Sequence, residues 1–483
     1  MKIPSPFRRC AAPSLGRLRE RAGVRALVLA LALLPATAVA QTIAITGGTV
    51  ALGDGSEPIP GGTVVIRDGR IAGAGVGIPV PRDAEVIDAR GKWVTPGIVA
   101  GFSRLGLSEV DLSADGTTDD KAQNGPFSAA IDVAPAINPL TTTIPVNRAD
   151  GVTRAIVAPN VARNIFAGQG AVIDLGADMD PITARRRFQF VELGEAGAAT
   201  AGGSRASAHV LFRNALREAA ELQRFAVPVS GGGAAEPGIE RDPVIRDPNE
   251  SRLTGPNARR SEDVLLTRFD AAALVPVLQG RQYLLVHVER ASDILQVIRL
   301  GREFSGLKLV MVGVTEGWTV ADQLAASGIP VIASAANDLP ASFEQLAATW
   351  SNVGRMRNAG VKVAIGMIDD SDTRNLFNQR QYAGNLVALQ KVPGATGVSW
   401  GEALAMLTSA PAEVIGLGGQ LGSLRSGKRA DVVVWSGDPL EMTSNVDAVW
   451  IDGVRQPLET RQTKLRDRYR DLAPGTLPEA YKR

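Results

Sequence analysis

Two groups of short strand-like runs stand at opposite ends of this chain, with strands and helices alternating between them. No other feature constrains the fold as much. Near the start, TIAITGGTV (42–50) alternates apolar residues and GTVVI (62–66) reads as a second strand. Asp68-Gly69 then signals a hairpin turn, and Arg70-Ile71-Ala72 begins the return strand. EVIDA (85–89) and Trp93-Val94 add two more. Near the end, ADVVVW (430–435) and VDAVWI (446–451) are strongly β-branched, the second closed by Asp452-Gly453. Strand groups so far apart can share one sheet, which brings the two ends together. A small β domain, read as a sandwich, is therefore expected from residues 41–96 and 415–460.

Between the strand groups the periodicity changes. Thr153–Val157, Tyr283–Val288, Leu307–Val312, Pro330–Ala333 and Val361–Ile365 read as strands. Leu211–Leu222, Ala291–Leu300, Val320–Ser327, Ser342–Thr349 and Gly401–Leu407 read as helices. That alternation argues for parallel β/α units, in a β/α barrel or a doubly wound sheet. FAGQGAV (166–172) has glycines but no strand–loop–helix context, so it is not a phosphate loop; a tight turn is expected there. Residues 227–263 are rich in Gly, Pro, Asn, Arg and Asp without periodicity, as in a surface insertion. The tail from Arg461 to Arg483 opens on a charged helical run.

The first forty residues do not belong to this pattern. Seven basic residues precede or border an apolar run, Ala26–Leu34, which Pro35 breaks before Ala38-Val39-Ala40. That is the layout of a secretory signal peptide over residues 1–40, and its apolar run is too short for a mature membrane anchor. Cleavage after Ala40 removes a net +6 from a total of +2, leaving about −4. A mildly acidic chain has no electrostatic case for nucleic acid. Cys10, the only cysteine, leaves with the signal, and with it any disulfide, thiol nucleophile or Cys metal site. The expected location is periplasmic or secreted, with no membrane contact after signal removal.

KWVTPGIVAGFSRLGL (92–107) resembles the first-strand signature of the amidohydrolase superfamily, Val-x-Pro-Gly-Leu-Ile-Asp-x-His-x-His-Leu-Gly. The frame matches at Val94, Pro96, Gly97, Leu105 and Gly106. TSAPAEVIGL (408–417), LGSLRSGKRADVVVWSGDP (421–439) and DAVWIDGV (447–454) resemble the family's return into its small sheet. The similarity is greatest to the imidazolonepropionase-like branch. It implies an α/β fold: a (β/α)8 TIM-like barrel over residues 97–414, with its site at the C-terminal strand ends. It also implies hydrolysis of C–N bonds in small molecules, with one or two divalent metals activating water.

Metal ligation needs neutral imidazoles and carboxylates at fixed strand ends. The first-strand His pair of the family falls on Phe102 and Arg104, and the preceding Asp on Ala100. The fourth-strand Lys falls at Phe190 and the eighth-strand Asp at Ile368, with Asp369 following as the candidate catalytic acid. Where the sixth strand carries a His, this chain has Gly313-Val314. His287 is the one retained ligand, or else a hydrogen-bonded core residue; His209 reads as an ordinary helix residue. Arg104, Arg290 and Glu316 are candidate ligand-binding residues. For Arg290 the alternative is pairing with Asp293 at a helix start, and for Glu316 a place in the first turn of the next helix. No cofactor is expected beyond, at most, one weakly bound divalent metal, zinc by family.

Three functions fit these residues: a hydrolase of altered chemistry using His287, Glu316 and Asp369; a non-catalytic subunit paired with an active relative; and a binding protein in which Arg104 grips a carboxylate. The expected partners are a small amide-type molecule, a second copy of the chain, or an active amidohydrolase paralogue.

Overall fold

The computed structural model describes residues 42–109, 118–225, 265–368 and 373–470. The segment 1–40 expected as a signal peptide, the expected insertion 227–263, Asp369 and residues 471–483 of the tail lie outside them. Residues 43–96 and 432–455 build one sheet. Its N-terminal strands are β1 (Ile43–Val50), β2 (Ile59–Arg67), β3 (Arg70–Gly75), β4 (Glu85–Asp88) and β5 (Trp93–Pro96). Asp68 and Gly69, at φ 53° and 71°, make the β2–β3 turn with both central residues left-handed, as its tight hairpin needs. On its other edge β1 changes partner along its length. Ile43–Thr46 run parallel to β4, and Thr49–Val50 parallel to β5. Gly47, at φ 79°, sits at the switch, where a side chain would be strained.

The barrel follows, with strands in chain order around the sheet: β6 (Ile98–Ser103), β7 (Val152–Val157), β8 (Phe166–Asp174), β9 (Ile182–Glu192), β10 (Tyr283–Val288), β11 (Lys308–Gly313), β12 (Val331–Ala333) and β13 (Val363–Ile365). The ring closes where Met367 N–H donates to the Phe102 carbonyl at 3.1 Å. Gly101 makes that closure fit, because a Cβ there would stand 2.3 Å from the Ile365 carbonyl oxygen.

This barrel departs from a regular (β/α)8 in one place. β8 runs antiparallel to both β7 and β9. Only residues 158–165 and 175–181 connect the three strands, and a parallel crossover needs roughly a dozen residues or more. FAGQGAV, expected as a tight turn, is therefore the first part of a strand buried along its whole length. Ser342–Thr349, expected as a helix, forms turns instead. There Glu344 is drawn inward to accept hydrogen bonds from Arg205 and from the Glu195 backbone, both at 2.8 Å.

The chain returns to the first sheet through β14 (Val432–Trp435), β15 (Val446–Ile451) and β16 (Val454–Arg455). β14 lies antiparallel to β5, with Val432 opposite Pro96 and Trp435 opposite Trp93. The two segments thus share a β unit, but where a sandwich was expected they form one eight-stranded sheet that branches at β1, because β4 and β5 both pair with the same edge of β1. Ile43, Ile45, Val64, Ile66, Val94, Val432 and Trp450 fill its core.

A buried charge network ties this sheet to the barrel. The Arg154 side chain, on β7, is fully buried. It donates to Asp431 at 2.8 and 3.0 Å, to Thr183 at 2.6 Å and to Asp174 at 3.3 Å, and it pairs with Asp452 at 2.8 Å. Arg429 pairs with Asp452 from the other side. Burial opposes the charge of Asp452, but Arg429 and Arg154 outweigh it and hold the carboxyl below its ordinary range.

Candidate functional site at the barrel mouth

Residues of a strand alternate between the barrel axis and the helices. On β10, Leu285 joins the interior cluster while Val286 and Val288 pack outward. His287 shares the inward phase and lies at the C-terminal mouth, opposite Glu192 in register. Its Nδ1 sits 2.8 and 2.7 Å from the two Glu192 carboxylate oxygens, and its Nε2 sits 3.1 Å from Glu289 Oε1. Burial disfavours a charged imidazole here, but the two glutamates outweigh it and raise its pKa well above 6.5. Burial likewise pushes Glu289 up, and His287 overcomes that and lowers it.

The neighbouring backbone is shaped around this clamp. Gly194 N–H donates to Glu192 Oε1 at 3.0 Å, and Thr315 N–H donates to Glu289 Oε2 at 2.8 Å. Gly313 and Val314, both left-handed at φ 91° and 60°, turn the chain so that Thr315 can reach. The left-handed region costs a β-branched residue roughly 1–2 kcal/mol, so Val314 is held there by its surroundings. A Cβ on Gly313 would lie 2.5 Å from Glu289 Oε1, which is why glycine suits that position.

Below the clamp the barrel axis is apolar. Phe102 and Phe190 are buried with ring centroids 5.3 Å apart. Ile368 packs against the same cluster, and the Arg104 guanidinium stands 5.7 Å from the Phe102 ring centroid. Three positions at which the resemblance expected metal ligands thus converge on one layer, with Arg104 beside it. Among the described residues, no group of three or more His, Cys, Asp or Glu is arranged to hold a metal ion.

The remaining candidates do structural work in this geometry. Arg290 pairs with Asp293 at 2.8 Å at the start of the helix Ala291–Glu303. Glu316 accepts from the backbone N–H groups of Ala291 at 2.9 Å and Ala347 at 3.1 Å, bracing two segments. It does so from the residue before a short 3-10 turn, Gly317–Val320, rather than from inside the next helix. His209 lies on the helix Arg205–Phe225. Glu192 and Glu289 were missed in sequence. Their only signal was an acid at each of two adjacent strand ends.

No helix among the described residues is long and apolar enough to cross a membrane. Residues 320–455 match the sequence model of the amidohydrolase family. An amidohydrolase, tasK, from Hapsidospora irregularis is 25% identical over 445 residues, which is 83% of this chain but only 42% of that longer relative. A dihydroorotase from Anaeromyxobacter dehalogenans is 27% identical over 420 residues, covering 79% of this chain and 87% of the relative. Among solved structures, an amidohydrolase from Thermotoga maritima is 25% identical with a TM-score of 0.69, covering 86% of this chain and 99% of that one. An eight-stranded barrel flanked by a sheet that both chain ends share, together with these similarities, is what the first- and last-strand motifs pointed to: the chain belongs to the amidohydrolase superfamily.

Proposed function

We propose that this chain is a non-catalytic amidohydrolase-fold subunit, exported to the periplasm or beyond, that pairs with and stabilises a metal-bearing relative. The observation that carries this reading is the apolar layer of Phe102, Phe190 and Ile368, with Arg104 beside it, where the family implies a metal. A divalent ion such as zinc needs neutral imidazoles and carboxylates with free lone pairs. Aromatic rings and a guanidinium offer neither, and both nitrogens of His287 are within hydrogen-bond distance of carboxylates. The residues present do not fit the metal, and no reaction step is derived through it.

The rim of the mouth favours a partner. Leu339, Phe343 and Leu346 are 80%, 85% and 64% exposed on the segment that follows β12. Apolar side chains grouped on a surface in this way are typical of contact sites. The test is to isolate the tagged protein from its own host, then measure metals and co-purifying chains. The expected result is little zinc on this chain and capture of a relative that keeps the His-x-His motif. A full equivalent of Zn, Mn or Fe on the isolated chain, or a stable lone monomer in the periplasmic fraction, would overturn the proposal.

A second reading, a hydrolase of altered chemistry, draws on the Glu192–His287–Glu289 arrangement, which places an imidazole between two carboxylates at the mouth. It predicts turnover in a broad amide panel, abolished in His287→Gln. Absence of any turnover removes it.

A further inference from the structure

The opposite end of the barrel carries a concavity. A cleft of about 640 Å³ opens beneath the starts of β10 and β11 and the residues leading into β12 and β13. The C-terminal ends of the helices Ala291–Glu303 and Ala321–Ser327 flank it. Small residues keep it open. Gly301 and Ala326 line it, and a Cβ on Gly328, itself at φ 69°, would meet nothing within 4 Å. Ile298, Leu309 and Ile329 give it an apolar wall, and Arg302, Lys308, Lys362 and Glu413 give it a charged rim.

The charges on that rim do not cancel. Lys362 pairs with Glu413 at 2.9 Å. Arg302 and Lys308 have no ion pair among the described residues, and Lys308 only lies over the Tyr283 ring, 5.5 Å from its centroid. Three cations and one carboxylate leave a surplus of two positive charges. The two helix ends that flank the cleft each contribute about −0.5 of a charge, so roughly one positive charge remains. The volume falls within the range of roughly 300–1,000 Å³ usual for small-molecule sites, which combine apolar walls with a few convergent polar groups.

We propose that this cleft binds a small organic anion, its carboxylate held by Arg302 and Lys308 and its apolar part seated against Ile298, Leu309 and Ile329. The site lies at the barrel end remote from His287, so it stands whether or not the mouth has any chemistry. Arg302 and Lys308 are exposed at the rim, so the contact gains over an isolated surface ion pair by two cations converging on one carboxylate.

Isothermal titration of the purified full chain with 4-phenylbutyrate tests it, alongside the uncharged 4-phenylbutyramide and inorganic phosphate. Saturable binding of the carboxylate is expected, with the amide and phosphate much weaker. The double variant Arg302→Ala/Lys308→Ala should weaken it by about tenfold or more, the loss expected when charge-assisted hydrogen bonds are removed. Ala326→Trp, at an exposed helix position, should block it by filling the cleft without touching the core. Arg104→Ala should leave it unchanged. No saturable binding, equal binding of the amide or of phosphate, or binding that survives both cleft variants overturns the proposal. Binding lost in Arg104→Ala would assign the anion to the mouth and overturn it as well.

Discussion

Replacing Arg154 with methionine tests whether the buried charge network joins the barrel to the shared sheet. Methionine replaces the aliphatic stem of arginine and lacks the guanidinium, so the change removes chiefly the charge and its hydrogen bonds. Asp431 and Asp174, 5% and 12% exposed at the side chain, lose their cation, whereas Asp452 keeps Arg429. Removing one partner of a buried ion pair costs about 3–5 kcal/mol, because the remaining charge stays desolvated. A loss near the upper end is expected at pH 7. Urea unfolding followed by tryptophan fluorescence reads it directly, since Trp435 and Trp450 are buried in the shared sheet. Acid should narrow the gap between the two proteins. Arg429 and Arg154 hold the carboxyl of Asp452 below 3.8 against the effect of burial, so its stabilisation is present above that value and is lost as pH falls. Burial already raises Asp174 above 3.8, and without Arg154 it rises further, so the variant gains relative stability in acid. Arg90→Met serves as the control: Arg90 pairs with Asp88 at the surface, 82% exposed, and its loss should leave the transition in place. A loss below about 1 kcal/mol for Arg154→Met, or a gap that widens in acid, would refute the reasoning.

Two further predictions concern the mouth and the closure of the barrel. Glu192 and Glu289 raise the His287 pKa, so its contribution to stability is full below 6.5 and is lost as pH rises through the folded value; thermal melts across alkaline pH should show this decline, and His287→Gln should abolish it. Gly101→Ala would place a Cβ 2.3 Å from the Ile365 carbonyl oxygen and should cost about 1–3 kcal/mol or more by overpacking, with a matching fall in the urea midpoint; a neutral result would mean that the barrel is not closed at that seam.

Much of this fold could be read from local pattern. The Asp-Gly pairs at 68–69 and 452–453 fix two hairpins, because both residues must be left-handed and the side chains present tolerate it. Strand and helix periods placed most of the barrel, and the frame around Val94, Pro96 and Gly97 carried the family resemblance. The direction of β8 was decided by loop length and pairing, since a buried run carries no sign of its orientation. The helix expected at Ser342–Thr349 failed because Glu344 finds Arg205, 139 residues away, and that contact outweighs a weak local preference.

At the site, residue identity alone put Phe102, Arg104 and Phe190 where the resemblance expected metal ligands, and left His287 as the one histidine among those positions. What they touch follows from how distant strands come together. The His287–Glu192 contact spans 95 residues of sequence, and the Arg154–Asp431 contact spans 277. Local periodicity reports which face of an element is buried. It does not report which side chain of another element meets it there, because strand register and barrel closure set that distance.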